Sequence, residues 1–261
     1  MKNIDNLICP KCKYELDLVG KSLICKNNHC FDISKEGYVN LLLVDHKKSK
    51  TPGDDPVMTR ARDVFLKQGY FEELKKYIHE QVESLATGLI VDAGCGTGYY
   101  LDGLTERSIG VDISKSAVQI ASKNNKSATF IVSSIFEMPI KDKSVDIILN
   151  IFAPKPQKEF ERVLKDDGSI VEVVPGENHL MELKQSLYEC EARVNKEKYA
   201  FTEFKLKSTK RITYQRVVEK QDLISLLQMT PYWHTGGERN VDKLDNSQNI
   251  TFDFIINTWS K

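Results

Sequence analysis

The stretch VDAGCGTGYY, residues 91–100, carries three glycines at alternate positions, Gly94, Gly96 and Gly98. It continues the apolar run GLIV, and an apolar run that ends in glycines is typical of a short buried strand followed by a turn. Glycine lacks a Cβ atom, so this turn can adopt unusual dihedrals and let a ligand lie against bare backbone. The stretch therefore predicts a ligand site at the carboxyl end of a strand.

Apolar segments and amphipathic segments alternate on both sides of this turn. Strands are predicted at 88–94, 108–114, 128–134, 144–152 and 169–176, helices at 57–68, 71–87, 115–124 and 156–168, and the beginning of a further helix at 99–104. Such alternation predicts an α/β fold, a parallel sheet with helices on both faces. The site should lie at the carboxyl ends of the first strands, where the strand order reverses.

Two aspartates accompany the glycine turn. Asp112 ends the second predicted strand, where a carboxylate can accept hydrogen bonds from both ribose hydroxyls of a nucleoside cofactor. NAD is one alternative, but the glycine order is G-x-G-x-G, not the G-x-G-x-x-G of a pyrophosphate-binding turn, and Asp92 would repel a phosphate while suiting a cationic amino group. A glycine loop without a ligand is the other alternative.

The combination resembles motif I of the class I S-adenosylmethionine-dependent methyltransferases, which implies a Rossmann-like sheet and S-adenosylmethionine as the cofactor. The implied cofactor-binding residues are Asp92, Gly94, Gly96, Thr97, Gly98, Tyr99 and Asp112. Ser133 and Ser134 end the third predicted strand and are candidates for contact with the adenine.

The first thirty residues hold Cys9, Cys12, Cys25, His29 and Cys30. The chain shows no basic start followed by a long apolar run, so we expect a cytoplasmic protein without a membrane segment, in which clustered cysteines favour metal or redox chemistry over disulfides. The spacing C-x2-C and C-x3-H predicts a closed, structural Zn²⁺ site. Cys30 competes with His29 for the fourth place. A redox C-x-x-C pair and a set of ordinary thiols are the alternatives.

The charges and the breaker residues predict the domain organisation. Thirty-seven basic residues balance thirty-seven acidic ones among 261, which argues against a wholly basic coat for nucleic acid. The basic run HKKSK is followed by TPGDDP, which is typical of a linker. We predict a zinc module at 1–37, a linker at 38–56 and a catalytic domain at 57–261.

Several segments are more specific than a methyltransferase fold. A C-x2-C-x12-C-x3-H module followed by FDISKEGYVNLL, PGD, motif I, PGENHLMELK and LLQMTPYW resembles the 23S rRNA (guanine-N1)-methyltransferases of the RlmA type along nearly the whole chain. The resemblance implies methyl transfer to N1 of a guanine in a domain II hairpin of 23S rRNA, a homodimer, and in some members an influence on macrolide sensitivity. The alternatives are a methyltransferase of a small metabolite or lipid, and a non-catalytic ribosome-binding protein.

A basic segment at 196–216 predicts where RNA binds. It interleaves cations with aromatic rings: Lys198, Lys205, Lys207, Lys210 and Arg211 with Tyr199, Phe201 and Phe204. Cations can meet phosphates, and rings can stack on the bases of looped RNA. The alternative is an antiparallel strand with one solvated basic face and one core face.

Four residues are candidates for catalysis. Asn150 and Phe152, in NIFAP at the end of the fourth predicted strand, occupy the place where amino-methylating relatives position the target base. His179 and Glu182 lie one turn apart after the fifth predicted strand and could face the cofactor, as proton acceptors for guanine N1.

Overall fold

The computed structural model describes residues 2–43, 53–85, 88–104, 107–187, 201–233 and 237–261. Its strands are β1 (Leu16–Val19), β2 (Ser22–Cys25), β3 (Cys30–Asp32), β4 (Val39–Asn40), β5 (Ile90–Ala93), β6 (Ser108–Asp112), β7 (Thr129–Val132), β8 (Val145–Ile151), β9 (Leu164–Pro175), β10 (Lys205–Glu219) and β11 (Ser247–Ser260). Its α-helices are α1 (Pro56–Lys67), α2 (Glu72–Leu85), α3 (Lys115–Asn124), α4 (Gln157–Val163), α5 (Met181–Leu187) and α6 (Lys220–Gln228). None of the described helices is both long enough and apolar enough to cross a bilayer.

The central sheet has eight strands in the order β10-β11-β9-β8-β5-β6-β7-β4. Strands β4 to β9 pair in parallel, and β11 pairs antiparallel with both β9 and β10. From β5 the chain builds outward through β6 and β7, and then returns to the other side of β5 to form β8. The strand order therefore reverses between β5 and β8, and the predicted α/β fold with a switch point beside the glycine turn is confirmed.

One face of the sheet is covered by helices. Asp55 caps α1 by accepting hydrogen bonds from the backbone N–H groups of Val57 and Met58, at 2.7 and 2.9 Å. In α2 the buried residues Leu74, Ile78 and Val82 recur every fourth position, which turns one helical face toward the sheet. Helices α3, α5 and α6 add buried side chains to the same apolar cluster.

The opposite face is covered by the N-terminal module and α4. Leu7 forms an antiparallel bridge with Ile140, and the Ile8 N–H donates to the Pro139 carbonyl oxygen at 3.0 Å. Leu7 and Leu23 are fully buried in the cluster that also contains residues of β5, β6 and β7. The zinc module therefore takes part in the apolar core of the face that carries one of the six described α-helices.

Three segments differ from the sequence-based expectations. Residues 99–104 form a single 3-10 turn, Tyr99–Leu101, because glycines with positive φ, Gly98 at 76° and Gly103 at 90°, lie close on either side. Helix α4 ends at Val163, and the five residues after it already belong to β9. Within the predicted linker, Val39–Asn40 forms the edge strand β4 beside β7, while residues 44–52 lie outside the described ranges.

Candidate active site and metal centre

The glycine turn after β5 has a backbone that side chains would obstruct. Gly94 and Gly98 have φ of 92° and 76°. A Cβ atom on Gly94 would lie 2.8 Å from Ala153 Cβ, and one on Gly98 would lie 2.9 Å from Phe130 Cζ. The turn therefore needs glycine at both positions, and it presents bare backbone at the carboxyl end of β5.

Asp112 is held at the end of β6 by two backbone hydrogen bonds. Its Oδ2 accepts from the Gly96 N–H and its Oδ1 from the Ser114 N–H, both at 2.8 Å. Burial raises the pKa of this carboxyl, and the two hydrogen bonds oppose that rise. A carboxylate has about four acceptor positions, so Asp112 keeps lone pairs with which it can receive ribose hydroxyls.

Asp92 is a buried carboxyl at the end of β5. It is 1% exposed, and neither of its oxygens has a hydrogen-bond partner among the described residues. Burial, reinforced by the nearby charge of Asp112, raises its pKa to about 8. A buried carboxyl without a partner is costly to keep, so Asp92 fits a site that is completed by a cationic ligand group.

Because of this raised pKa, Asp92 should make the unliganded protein less stable as pH rises. Between the ordinary pKa of an aspartate and about 8, the folded state keeps a proton that the unfolded chain releases. The contribution of Asp92 to the free energy of unfolding therefore falls as pH rises through that window, by at most about 1.4 kcal/mol per pH unit. Asp92→Asn should gain stability over wild type as pH rises from about 5 to about 8, in urea unfolding without cofactor. Parallel pH profiles would contradict this.

The other predicted cofactor residues lie around the same edge of the sheet. Thr97 is buried in the turn, and the Tyr99 hydroxyl donates to Glu72 at 3.0 Å. The Ser133 N–H donates to the Asp112 carbonyl oxygen at 2.9 Å, and Ser134 Oγ accepts from a backbone N–H two residues later. These features together fit S-adenosylmethionine. The glycine turn offers bare backbone, Asp112 is a fixed carboxylate at the end of β6, and Asp92 is a buried carboxyl that suits the cationic amino group of this cofactor.

The NIFAP segment, residues 150–154, lies directly against the glycine turn, called the cofactor turn below, through Ala153 and Gly94. Asn150 is buried at the end of β8, and its Nδ2 donates to the Pro154 carbonyl oxygen at 2.9 Å. Phe152 has a φ of 53° and keeps 44% of its surface exposed. Such a backbone conformation is uncommon for a bulky residue. Asn150 thus closes a turn that presents the Phe152 ring, and the following residue, Ala153, lies against Gly94.

His179 packs against Phe152, with ring centroids 6.2 Å apart and planes inclined by 23°. Its Nδ1 accepts a hydrogen bond from the Asp253 N–H at 3.3 Å. Burial and the positive charge of Lys184 lower its pKa to about 3. The ring is therefore neutral with its hydrogen on Nε2, an arrangement that suits a hydrogen-bond donor better than the predicted proton acceptor.

Glu182, the second predicted proton acceptor, is bound to β11. Its Oε2 accepts from the Thr251 N–H at 2.9 Å, and its Oε1 accepts from the Thr251 hydroxyl at 2.5 Å. These contacts tie α5 to the sheet, so they favour a structural role for Glu182.

A buried polar cluster supports the loop that carries His179. Asp253 is completely buried and binds the Arg211 guanidinium with both oxygens, at 2.8 and 2.7 Å. It also accepts hydrogen bonds from Thr213 Oγ1 and from the Asn178 N–H, at 2.8 and 2.9 Å. Arg211, which the sequence predicted as a contact for RNA, therefore has an internal partner in Asp253.

The aromatic part of the predicted RNA segment also needs correction. Phe201 and Phe204 are buried, and Phe201 packs edge-on against Trp259 with a centroid distance of 5.4 Å. These two rings fill the core and cannot stack on bases. Lys198 and Tyr199 lie outside the described residues. Exposed lysines of β10 remain on the surface: Lys205, Lys207 and Lys210.

The N-terminal module brings four ligands together. Cys9 Sγ and Cys25 Sγ lie 3.4 and 3.5 Å from His29 Nδ1, and Cys12 Sγ lies 3.5 Å from Cys25 Sγ. All four atoms lie within 4.8 Å of one another, as the edges of a tetrahedron around Zn²⁺ require. Cys30 is exposed on β3 and is not one of this group, so His29 takes the fourth place.

The purified protein should therefore contain one zinc per chain. Cys30→Ser should keep the metal and His29→Ala should lose most of it, as measured by elemental analysis after gel filtration, because His29, and not Cys30, lies with the other three ligands. Since the module covers one face of the sheet, metal loss should also lower the unfolding temperature. Zinc retained in His29→Ala and lost in Cys30→Ser would reverse the assignment.

The comparisons with known proteins agree with both sites. Residues 7–50 match the zinc-ribbon family described as "RlmA, N-terminal", and residues 91–171 match the family described as "Methyltransferase domain". A solved structure, the YcgJ protein of Bacillus subtilis, superposes with a TM-score of 0.50 at 18% identity, covering 73% of this chain and 98% of that one, and so shares the fold.

Two relatives resemble the chain in sequence. YxjB of Bacillus subtilis (strain 168), whose name places it with the 23S rRNA (guanine-N(1)-)-methyltransferases, is 33% identical over 95% of this chain and 94% of its own. The 23S rRNA (guanine(748)-N(1))-methyltransferase of Streptomyces fradiae is 32% identical over 73% of this chain and 71% of its own. With a zinc ribbon before a cofactor-binding core and this identity along nearly its whole length, the chain belongs to the 23S rRNA (guanine-N1)-methyltransferases of the RlmA type.

Proposed function

We propose that the protein transfers a methyl group from S-adenosylmethionine to N1 of a guanine in a domain II hairpin of 23S rRNA. The observation that carries the proposal is the contact between the NIFAP segment and the cofactor turn, where Ala153 lies close enough to exclude any side chain at Gly94. Phe152 directly precedes Ala153, and its half-exposed ring offers a surface on which an unpaired base can stack.

The bound cofactor supplies an electrophilic methyl group, so the protein mainly has to align the attacking nitrogen with it. Guanine N1 carries a proton at neutral pH. When that proton passes to a water molecule, the N1 lone pair becomes available and negative charge develops on O6. A neutral donor such as the Nε2–H of His179, whose ring stacks beside Phe152, is suited to stabilising that charge. Asn150 positions Phe152 by closing the loop on Pro154.

We propose the exposed side of β10 as part of the RNA-binding surface. Lys205, Lys207 and Lys210 are exposed on this edge strand, and β10 pairs along its length with β11. Lysines on a rigid strand can contact phosphates without reading the base sequence, which fits a substrate recognised by its folded shape.

We further propose the remaining properties that the family implies. The protein should act in the cytoplasm as a homodimer, and its modification should alter macrolide sensitivity. The division into a zinc module at 1–37, a linker at 38–56 and a catalytic domain at 57–261 stays a proposal, with β4 as a strand inside the linker. Analytical ultracentrifugation measures the oligomeric state directly.

The experiment that tests the proposed function is methyl transfer with competing acceptors. Purified protein, labelled S-adenosylmethionine and a transcript of the domain II hairpin should yield 1-methylguanosine, identified by mass spectrometry of digested nucleosides. A panel of small metabolites and lipids should neither accept label nor compete. Label on a small acceptor and none on the transcript would support the metabolite methyltransferase instead, and binding of RNA without transfer would support a non-catalytic ribosome-binding protein.

Replacing Phe152 with Ala should lower kcat on the hairpin by about 10- to 100-fold, because stacking on one aromatic ring is worth about 1–3 kcal/mol per base. The affinity for S-adenosylhomocysteine should change by less than about twofold, since Ala153, and not Phe152, is the residue of this segment that contacts Gly94. Phe152→Tyr retains a ring and should keep most of the activity. Equal losses in the Ala and Tyr variants would show that stacking is not the role of this side chain.

A further inference from the structure

A short segment ahead of α1, residues 53–55, lies against the cofactor edge of the sheet. Gly53 has a φ of 81°, and a Cβ atom there would lie 2.9 Å from Ile113 Cγ2 and 3.1 Å from Ser114 Cβ. The Ser114 hydroxyl donates to the Asp54 carbonyl oxygen at 2.9 Å. This segment, called the strap below, is therefore packed onto the two residues that follow Asp112.

Arg62 of α1 links the strap to the glycine turn. Its Nη1 forms an ion pair with the Asp54 carboxylate, and its Nη2 donates to the Met229 carbonyl oxygen at 3.0 Å. Its Cδ and Nη1 atoms lie 3.8 Å from the position that a Cβ atom on Gly96 would occupy. One guanidinium thus contacts the strap and the end of α6, and it lies against the second glycine of the turn.

The charges of Arg62 and Asp54 act on Asp112, the carboxylate proposed to bind the ribose. Asp54 raises the pKa of Asp112 and Arg62 lowers it, so both side chains are close enough to influence Asp112. Two carboxylates beside one nucleoside would repel each other unless a cation lay near both of them. Arg62 supplies that cation while its partners fix its position.

We propose that Arg62 and Asp54 are positioning residues for the adenosine half of the cofactor: the ion pair holds the strap, Gly96 and Asp112 in the arrangement that receives the ribose. The inference rests on S-adenosylmethionine being the cofactor, and it is independent of the RNA target. An alternative function for Arg62 is to bind the carboxylate of the cofactor's methionine half directly. The two functions differ in which half of the ligand depends on Arg62 for its binding.

Two ligands separate these functions by calorimetry. S-adenosylhomocysteine has both halves, and 5′-deoxy-5′-methylthioadenosine has the adenosine half without the amino acid. Arg62→Met keeps the length of the side chain and removes its charge, and it should raise Kd by about tenfold for both ligands, by the same factor. Arg60→Met, at an exposed position of the same helix, is the matched control and should leave both affinities unchanged.

Asp54→Asn nearly preserves the shape of the strap and tests the pair from its other side, even if Arg62→Met folds poorly. It should weaken the binding of both ligands to a similar extent. Arg62→Lys, which keeps the positive charge, should bind both ligands more tightly than Arg62→Met does. Weakening of S-adenosylhomocysteine alone would place Arg62 at the amino acid and overturn the inference, as would affinities equal to those of the Arg60→Met control. Failure of the wild-type protein to bind S-adenosylhomocysteine at all would instead overturn the cofactor assignment itself.

Discussion

Asp112→Ala should weaken the binding of S-adenosylmethionine by about 1.5–3 kcal/mol, which corresponds to a rise in Kd of about 10- to 150-fold. The ribose loses a charged acceptor, and the N–H groups of Gly96 and Ser114 lose the carboxylate that orients them. A calorimetric titration of the purified variant measures the change.

Asp17→Ala removes an exposed carboxylate on β1 and serves as the control for a change in net charge. It should bind the cofactor as the wild-type protein does. An unchanged Kd in Asp112→Ala, with the variant folded by circular dichroism, would mean that the ribose lies elsewhere in the fold.

The sequence predicted the sheet well because its inner strands are buried on both faces. Strands β5 and β8 consist mostly of apolar residues and show no helical periodicity. The helix expected to begin at 99–104 was wrong, because Gly98 and Gly103 adopt positive φ and the segment between them forms a single 3-10 turn. The end of α4 was placed too late because apolar Leu164 continues a helical pattern although it begins β9.

The position of the zinc module could not be predicted from local pattern. The spacing of the cysteines gives three ligands and leaves His29 and Cys30 for the fourth place, since chelation depends on residues close in the chain. The packing of Leu7 against Ile140 depends on residues more than a hundred positions apart. The same reason explains why Phe201 was predicted to contact RNA although it is buried. Its partner Trp259 lies on β11, far from Phe201 in the sequence.

In the candidate site, the residues found from sequence are those with a motif. The glycine turn and Asp112 were predicted from their places at the ends of two strands and from the resemblance to motif I, and their geometry agrees with the expected cofactor. Arg62 and Asp54 were missed because an arginine in an amphipathic helix and an aspartate in a linker look like ordinary surface residues. The sequence signal that could have found them is the PGD motif, whose close approach requires glycine at position 53.

Loss of the gene should remove a modification that blocks reverse transcription. A methyl group on N1 occupies the Watson–Crick edge of guanine, so a reverse transcriptase that copies the RNA should halt one nucleotide before the modified base. A methyl on N7 or on a ribose would generally let it pass. The expected effect is therefore nearly all-or-none at a single guanine of the domain II hairpin.

Complementation should link that stop to the structure. The wild-type gene should restore the stop in a deletion strain, whereas Asp112→Ala and Asn150→Ala should restore it poorly, because the first weakens the cofactor site and the second releases the loop that holds Phe152. Free rRNA or an early assembly particle should be the better substrate in vitro, since the edge of the guanine has to be unpaired and reachable.

The most direct test of the central claim is primer extension across domain II of 23S rRNA from cells with and without the gene. The proposed function predicts a strong stop one nucleotide before one hairpin guanine in cells that carry the gene, and none in the deletion strain. A deletion strain that keeps every such stop in its 23S rRNA would contradict the assignment and favour a methyltransferase of small molecules.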